Sequence, residues 1–169
     1  MKKLTMMIAA LAMAMSMQAQ TKFHDVEANE AKGAVKSISM TMMGMPRNTN
    51  FTQDGKMQQD GLTDAKYDEN GYIQSAKMSV QGQEAEVKFA WENGRLVKQT
   101  INAMGQEIVQ ALVYDENGQV KAQKMNMMGQ DIEVPFTDYK FDDKGNWISR
   151  KMSMMGQEME VTRTITYYE

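Results

Sequence analysis

Five pairs of glycines, Gly33/Gly44, Gly71/Gly82, Gly94/Gly105, Gly118/Gly129 and Gly145/Gly156, are each eleven residues apart, and the remaining two, Gly55 and Gly61, form a shorter sixth pair. Glycine adopts positive φ without steric cost. Glycines at such intervals, between segments rich in Val, Ile, Met, Thr and aromatic residues, punctuate strands rather than helices. The chain therefore reads as a run of β-hairpins, each unit about 24 residues long.

Two kinds of turn alternate along it. The first follows an aromatic residue, as in Tyr67-Asp68-Glu69-Asn70-Gly71, Trp91-Glu92-Asn93-Gly94, Tyr114-Asp115-Glu116-Asn117-Gly118 and Phe141-Asp142-Asp143-Lys144-Gly145. Asp and Asn side chains hold nearby backbone amides, and glycine takes the left-handed position of a type I turn with a bulge. The second is Met-Gly-Gln followed by an acidic residue, beginning at Met104, Met128 and Met155, with a variant at Gln81 to Glu84. It has the composition of a tight hairpin tip.

Between the turns, apolar residues recur at fixed offsets from the first glycine. Offset two holds Val35, Ile73, Leu96, Val120 and Trp147, and offsets seven and nine hold pairs such as Met78/Val80, Met125/Met127 and Met152/Met154. Alternation with Ser79, Asn126 and Ser153 marks half-buried antiparallel strands. The step from offset two to offset seven changes parity, so each unit needs a bulge near the start of that strand. The long unit that begins at Gly118 carries extra residues around Pro135, Phe136 and Tyr139, where a bulge or an edge is expected.

The intervals give about twelve strands in an all-β antiparallel meander, the strands flanking Gly61 being the shortest. An open sheet of that size with one apolar face would expose far too large a patch, so it must curl into a barrel, roll or shell. No segment after residue 33 has helical periodicity. Residues 21–32 can add only a short helix or strand.

Residues 1–20 read as a signal peptide, in which Lys2 and Lys3 precede an apolar stretch from Leu4 to Met17 and cleavage is expected after Ala19 or Gln20. Gln18 and Gln20 end the run short of a membrane span. Export follows, to the periplasm, the outer surface or the medium, and residues 33–169 form a single repeat domain. Lys2 and Lys3 are two of the 19 basic residues, so the mature chain carries 17 against 22 acidic ones, a net charge of −5. That balance disfavours nucleic acid and anionic lipid. The absence of cysteine excludes disulfides, thiolate metal sites and cysteine nucleophiles.

The aromatic-Asp-x-x-Gly units, clearest in Phe141-Asp142-Asp143-Lys144-Gly145-Asn146 with Tyr67-Asp68 and Tyr114-Asp115, resemble the YD repeat of the RHS family over roughly residues 51–169. The resemblance implies a hairpin shell in an exported or surface-associated protein, in a family described as binding carbohydrate or enclosing toxins. The leader and the closing Thr164-Ile165-Thr166-Tyr167-Tyr168 also look like small secreted proteins of Bacteroidetes.

Catalytic chemistry has a thin inventory. His24 is the only histidine and lies near the mature N-terminus, and the Asp-rich pairs Asp115/Glu116 and Asp142/Asp143 sit where turns need them. No cofactor is expected. Methionine is the one unusual abundance, 20 residues in all. Its Met-x-Met pairs suit either irregular packing or Cu(I), with Met125, Met127, Met152 and Met154 as the thioether candidates. Met43, Met104, Met128 and Met155 fall at hairpin tips, and their parity points them outward along one rim, a candidate binding surface for a protein, a glycan or a small apolar ligand. The expected function is a non-enzymatic binding or scaffold module. The alternatives are a barrel carrying a small apolar ligand and a Cu(I) carrier.

Overall fold

The computed structural model describes residues 22–42, 45–80, 82–127, 129–154 and 156–169. Residues 1–20, assigned above to a signal peptide, lie outside them. The chain forms one short helix and twelve strands: α1 (Asp25–Ala28), β1 (Val35–Met42), β2 (Met45–Phe51), β3 (Met57–Gln58), β4 (Leu62–Tyr67), β5 (Ile73–Val80), β6 (Gln83–Glu92), β7 (Arg95–Ala103), β8 (Gln106–Tyr114), β9 (Val120–Met127), β10 (Gln130–Phe141), β11 (Trp147–Met154) and β12 (Gln157–Tyr167). The strands make a single antiparallel sheet in the order β3-β2-β1-β12-β11-β10-β9-β8-β7-β6-β5-β4, nearly closed into a barrel.

The expected bulges are present in all five long units, each three residues after the first glycine. Lys36, Gln74, Val97, Lys121 and Ile148 are the unpaired residues, since Tyr67 faces Ile73 while Lys66 faces Ser75, and the other four junctions repeat this step. Each bulge restores the parity that lets offsets two and seven share one face. Val35, Ile73, Leu96, Val120 and Trp147 are accordingly all buried.

The turns divide as their residues require. At Asp68, Asp115 and Asp142 the backbone carbonyl accepts from the glycine three residues on, and the carboxylate accepts from two further amides, closing a type I turn with a glycine bulge. Asn93-Gly94 departs from this set. Both residues have positive φ and Glu92 pairs directly with Arg95, so it is a two-residue type I′ turn. The tip at Met104-Gly105 has the same geometry, with Ala103 paired to Gln106.

Aromatic residues stitch the bulged ends together. Trp91 Nε1 donates to the Ile73 carbonyl at 2.8 Å, Tyr114 Oη to Leu96 at 2.7 Å and Tyr139 Oη to Val120 at 2.5 Å, always reaching the offset-two residue of the neighbouring strand. In the third of these units phenylalanine stands where the others have Trp91 or Tyr114, and Tyr139 supplies the donor in its place. The extra residues there make a bulge, at Asp138 with φ of 52°, inside a strand whose two halves pair with different neighbours, β9 up to Pro135 and β11 from Phe136.

β10 pairs through its first half with β9 and through its second half with β11, and β12 is divided in the same way between β11 and β1. Such stagger tilts strands around a barrel axis. The two end strands, β3 and β4, are bridged by the N-terminal segment. Phe23 N–H donates to the Asp54 carbonyl and His24 N–H to Gly71, while the buried Asp25 carboxylate accepts from Met57 N–H of β3 at 2.7 Å and from Tyr67 Oη of β4 at 2.6 Å. Val26 and Ala31 then pack on Val35, Ile38 and Phe51.

Gly71 shows how tightly this segment docks: a Cβ there would lie 1.9 Å from the Lys22 carbonyl, whereas Gly105 at similar φ has nothing within 4 Å. Both alanine variants bear a left-handed backbone penalty of about 1–2 kcal/mol. Gly71→Ala should in addition expel the segment, so its melting temperature should fall well below that of Gly105→Ala in parallel thermal melts.

Burial raises the Asp25 carboxyl above the ordinary carboxylate value, and the hydrogen bonds from Tyr67 and Met57 offset this only in part. The folded chain then holds the Asp25 proton more tightly than the unfolded chain. Its contribution to stability is full below the unfolded value and is lost as pH rises through the raised folded one. Asp25→Asn keeps an acceptor for both donors. In urea unfolding the variant should gain on the native chain as pH rises above the ordinary aspartate value, about 4.

Candidate functional site

An antiparallel meander places alternate turns at opposite mouths, and the two mouths of this barrel differ. The hairpin tips lie at one. Met104 is there, 79% exposed, as the outward parity requires. Met43, Met128 and Met155 fall outside the described residues. The methionines of the strands have a different role: Met152 is buried, and Met40, Met125, Met154 and Met159 pack with it around Val134, Phe136 and Val161. These five methionines fill the core.

At the other mouth the bulged turns meet the N-terminal segment, and two arginines organise the interior. On β11, Arg150 lies on the face of Met152 and Met154, and on β12 Arg163 lies on the face of Val161 and Ile165. Both point inward and are buried. Arg163 donates to the carbonyls of Trp147, Asn29 and Glu30 at 2.6, 2.9 and 2.7 Å. Arg150 donates twice to the Glu30 carboxylate, at 2.6 and 3.2 Å, and once to Tyr139 Oη at 3.0 Å. The two guanidiniums lie over the ring of Trp147 at 4.2 and 3.7 Å from its centroid. Cation–π contact of this kind gains strength away from water.

Burial lowers Arg163 to about 10, with the nearby Glu30 carboxylate opposing the shift. It therefore stays cationic at neutral pH. Tyr114 is pushed up to about 12 by burial and by Glu30, and it remains a protonated donor.

The N-terminal segment covers this mouth incompletely. Between its residues Glu27 to Lys32 and the turns at Gly94, Gly118 and Gly145 lies a cleft of about 450 Å³. Tyr114, Tyr139, Phe141 and Trp147 line it, with Arg95 and Lys32 as cations. Phe141, released from stitching, is 48% exposed. Asn146 fixes the segment at the rim, accepting from Lys32 N–H at 2.8 Å and donating to its carbonyl at 3.0 Å and to Tyr167 Oη at 2.8 Å.

Sequence reasoning placed the candidate surface at the methionine tips and overlooked this cleft. The available signal was parity: Arg150 and Arg163 occupy inward positions, where a charge is costly unless paired. His24, near the mature N-terminus, is stacked on Tyr72 with ring centroids 4.0 Å apart. Among the described residues no group of His and carboxylates is arranged to hold a metal ion, and no helix is long and apolar enough to cross a membrane. No protein-family model matches the chain, and no curated protein matches it.

Glu30 is the carboxylate that pairs with Arg150. Glu30→Ala leaves a charged guanidinium buried without its counter-ion, a loss of about 3 kcal/mol or more. Glu30→Gln, which retains an acceptor, should cost clearly less. Urea unfolding of both variants checks the order.

Proposed function

We propose that this chain is an exported, non-enzymatic binding module whose barrel is a rigid frame and whose ligand site is the aromatic cleft at the bulged-turn mouth. The observation that carries this reading is the cleft itself, concave, aromatic-walled and of a size suited to a small organic molecule. Its walls come from strand ends and bulged turns, which hold their geometry without a bound partner.

Several features favour binding over catalysis. The turn carboxylates are engaged in backbone hydrogen bonds, as Asp142 is by Lys144 and Asn146, and Tyr167 also donates to Asp142. Glu30 is held by Arg150. The notion of a hollow carrier is better served by the mouth than by the interior, where Trp147, Arg150, Arg163 and Val26 occupy the space. Kinship with the YD repeat draws support from the bulged turns at Asp68, Asp115 and Asp142, and export from the leader composition.

Asn117 stands exposed at the lip of the cleft. A ligand-observed NMR screen of small organic compounds against the mature chain should return binders that Asn117→Trp loses while its melting temperature is unchanged. A screen whose binders all survive that substitution would place the ligand elsewhere and sink the proposal. Mass spectrometry of the exported protein should show an N-terminus after Ala19 or Gln20.

A further inference from the structure

We infer that the cleft selects a flat apolar anion, a carboxylate carried on an aromatic ring system. This deepens the binding reading above and rests on it. Three independent features of the cleft lead to the choice.

The first is charge. Arg95 and Lys32 line the cleft and form no ion pair among the described residues, while behind Trp147 Arg150 is paired with the Glu30 carboxylate and Arg163 donates only to backbone carbonyls. The arginine on the wall is positioned by the turn beside it. A Cβ on Gly118 would come within 2.3 Å of the Arg95 guanidinium, which lies 5.5 Å from the ring centroid of Tyr114. Lys32 Nζ lies in the same way against Gly145. The opposing wall charge, Glu27, has a neighbour on its own segment, His24 Nδ1 at 3.7 Å. Four cations, Arg95, Lys32, Arg150 and Arg163, thus stand near three carboxylates, Glu27, Glu30 and Asp142, of which Glu30 is committed to Arg150 and Asp142 to turn amides and Tyr167. An incoming anion meets favourable potential from both the wall and the floor.

The second is unmet donation. Trp147 is 5% exposed and Arg150 7%, yet Trp147 Nε1 and Arg150 Nε have no hydrogen-bond acceptor among the described residues. Leaving such a buried N–H unpaired is costly. Of the two only Trp147 lines the cleft, and its N–H is a donor, so the partner it lacks there is an acceptor. Glu27 Oε2 is likewise buried without a hydrogen bond, and a ligand bearing a hydroxyl or amide donor beside its carboxylate would satisfy it as well.

The third is shape. Tyr139 and Phe141 stack at an interplanar angle of 13°, and Phe141 presents a free face at the mouth. Tyr114 cannot turn away, since its hydroxyl is tied to the Leu96 carbonyl. Flat rings against fixed rings gain more than their buried area alone. Arginine beside them offers the paired N–H geometry that fits a carboxylate.

The test uses three probes of one shape, naphthalene carboxylate, naphthalene methanol and naphthalene methylamine, titrated into the mature chain by calorimetry. The carboxylate should bind about tenfold or more tightly than the alcohol, and the amine weakest. Arg95→Gln and Lys32→Gln should each lower the ratio of carboxylate to alcohol affinity several-fold, with melting temperature confirming the fold. Raised salt should weaken the carboxylate alone. Equal affinities for all three probes would overturn the charge selection while leaving the cleft a binding site. Preference for the amine would reverse its sign. Failure of all three, with binders from the NMR screen still displaced by Asn117→Trp, would refute the ligand class and not the site.

Discussion

A meander of antiparallel strands always finishes with two strands that each have one unpaired side, and unpaired backbone is where such sheets aggregate or open. Curvature brings β3 and β4 toward each other here, but β3 is only two residues long and no ladder joins them. The gap is spanned by the N-terminal segment, with Asp25 accepting from a backbone amide on one side and a tyrosine hydroxyl on the other. A carboxylate suits this position because it accepts several hydrogen bonds at once. Burying it is unfavourable in itself. The segment is held by more than this one group: Phe23 packs edge-on against Tyr67 at 4.7 Å, and His24 stacks on Tyr72.

That closure determines what lies inside. A barrel of many strands encloses more volume than short side chains can fill, and this one is filled from the mouth by Val26 and Ala31 and from the wall by Trp147 and the two arginines. The arginines in turn depend on the segment. Its carbonyls at Asn29 and Glu30 and the Glu30 carboxylate accept most of their donors. Glu30 can reach Arg150 because its own backbone turns to a positive φ of 54°. Frame and plug are one cooperative unit, and the cleft is what the plug leaves uncovered.

Glycine spacing and strand parity are local properties, and through them the meander, the twelve strands and the five bulges could be read from residue order alone. The stitching by Trp91, Tyr114 and Tyr139 was half legible: an aromatic was visible at each strand end, but not the carbonyl it would reach. The plug was illegible because its partners are remote in sequence, Arg150 at 120 residues from Glu30 and Asn146 at 114 from Lys32. Hydrophobic periodicity carries no information about such pairings. Arg150 and Arg163 could have been flagged, since period two puts them among Met152, Val161 and Ile165 on the buried face. The methionine tips attracted attention by composition, whereas Met40, Met125, Met152, Met154 and Met159 fill the core, where pliable side chains suit an irregular barrel.

The cleft sits where the repeat departs from its own pattern. Had the unit ending at Phe141 followed the others, a Tyr or Trp there would have donated to the Val120 carbonyl and lain flat against the barrel end. A bulge at Asp138, like the one at Asp64 in β4, brings Tyr139 to that task, and Phe141, with no polar atom to anchor it, stands free at the mouth. Arg95 likewise follows the one tight Asn93-Gly94 turn, which lacks the Asp-centred loop of its neighbours and brings the arginine up against the turn at Gly118. A perfectly regular repeat would present the same shallow surface at every turn. These two irregularities, on strands whose ends converge at one mouth, supply an apolar face and a cation on opposite sides of a single concavity, and so turn a structural repeat into a site with a preferred ligand.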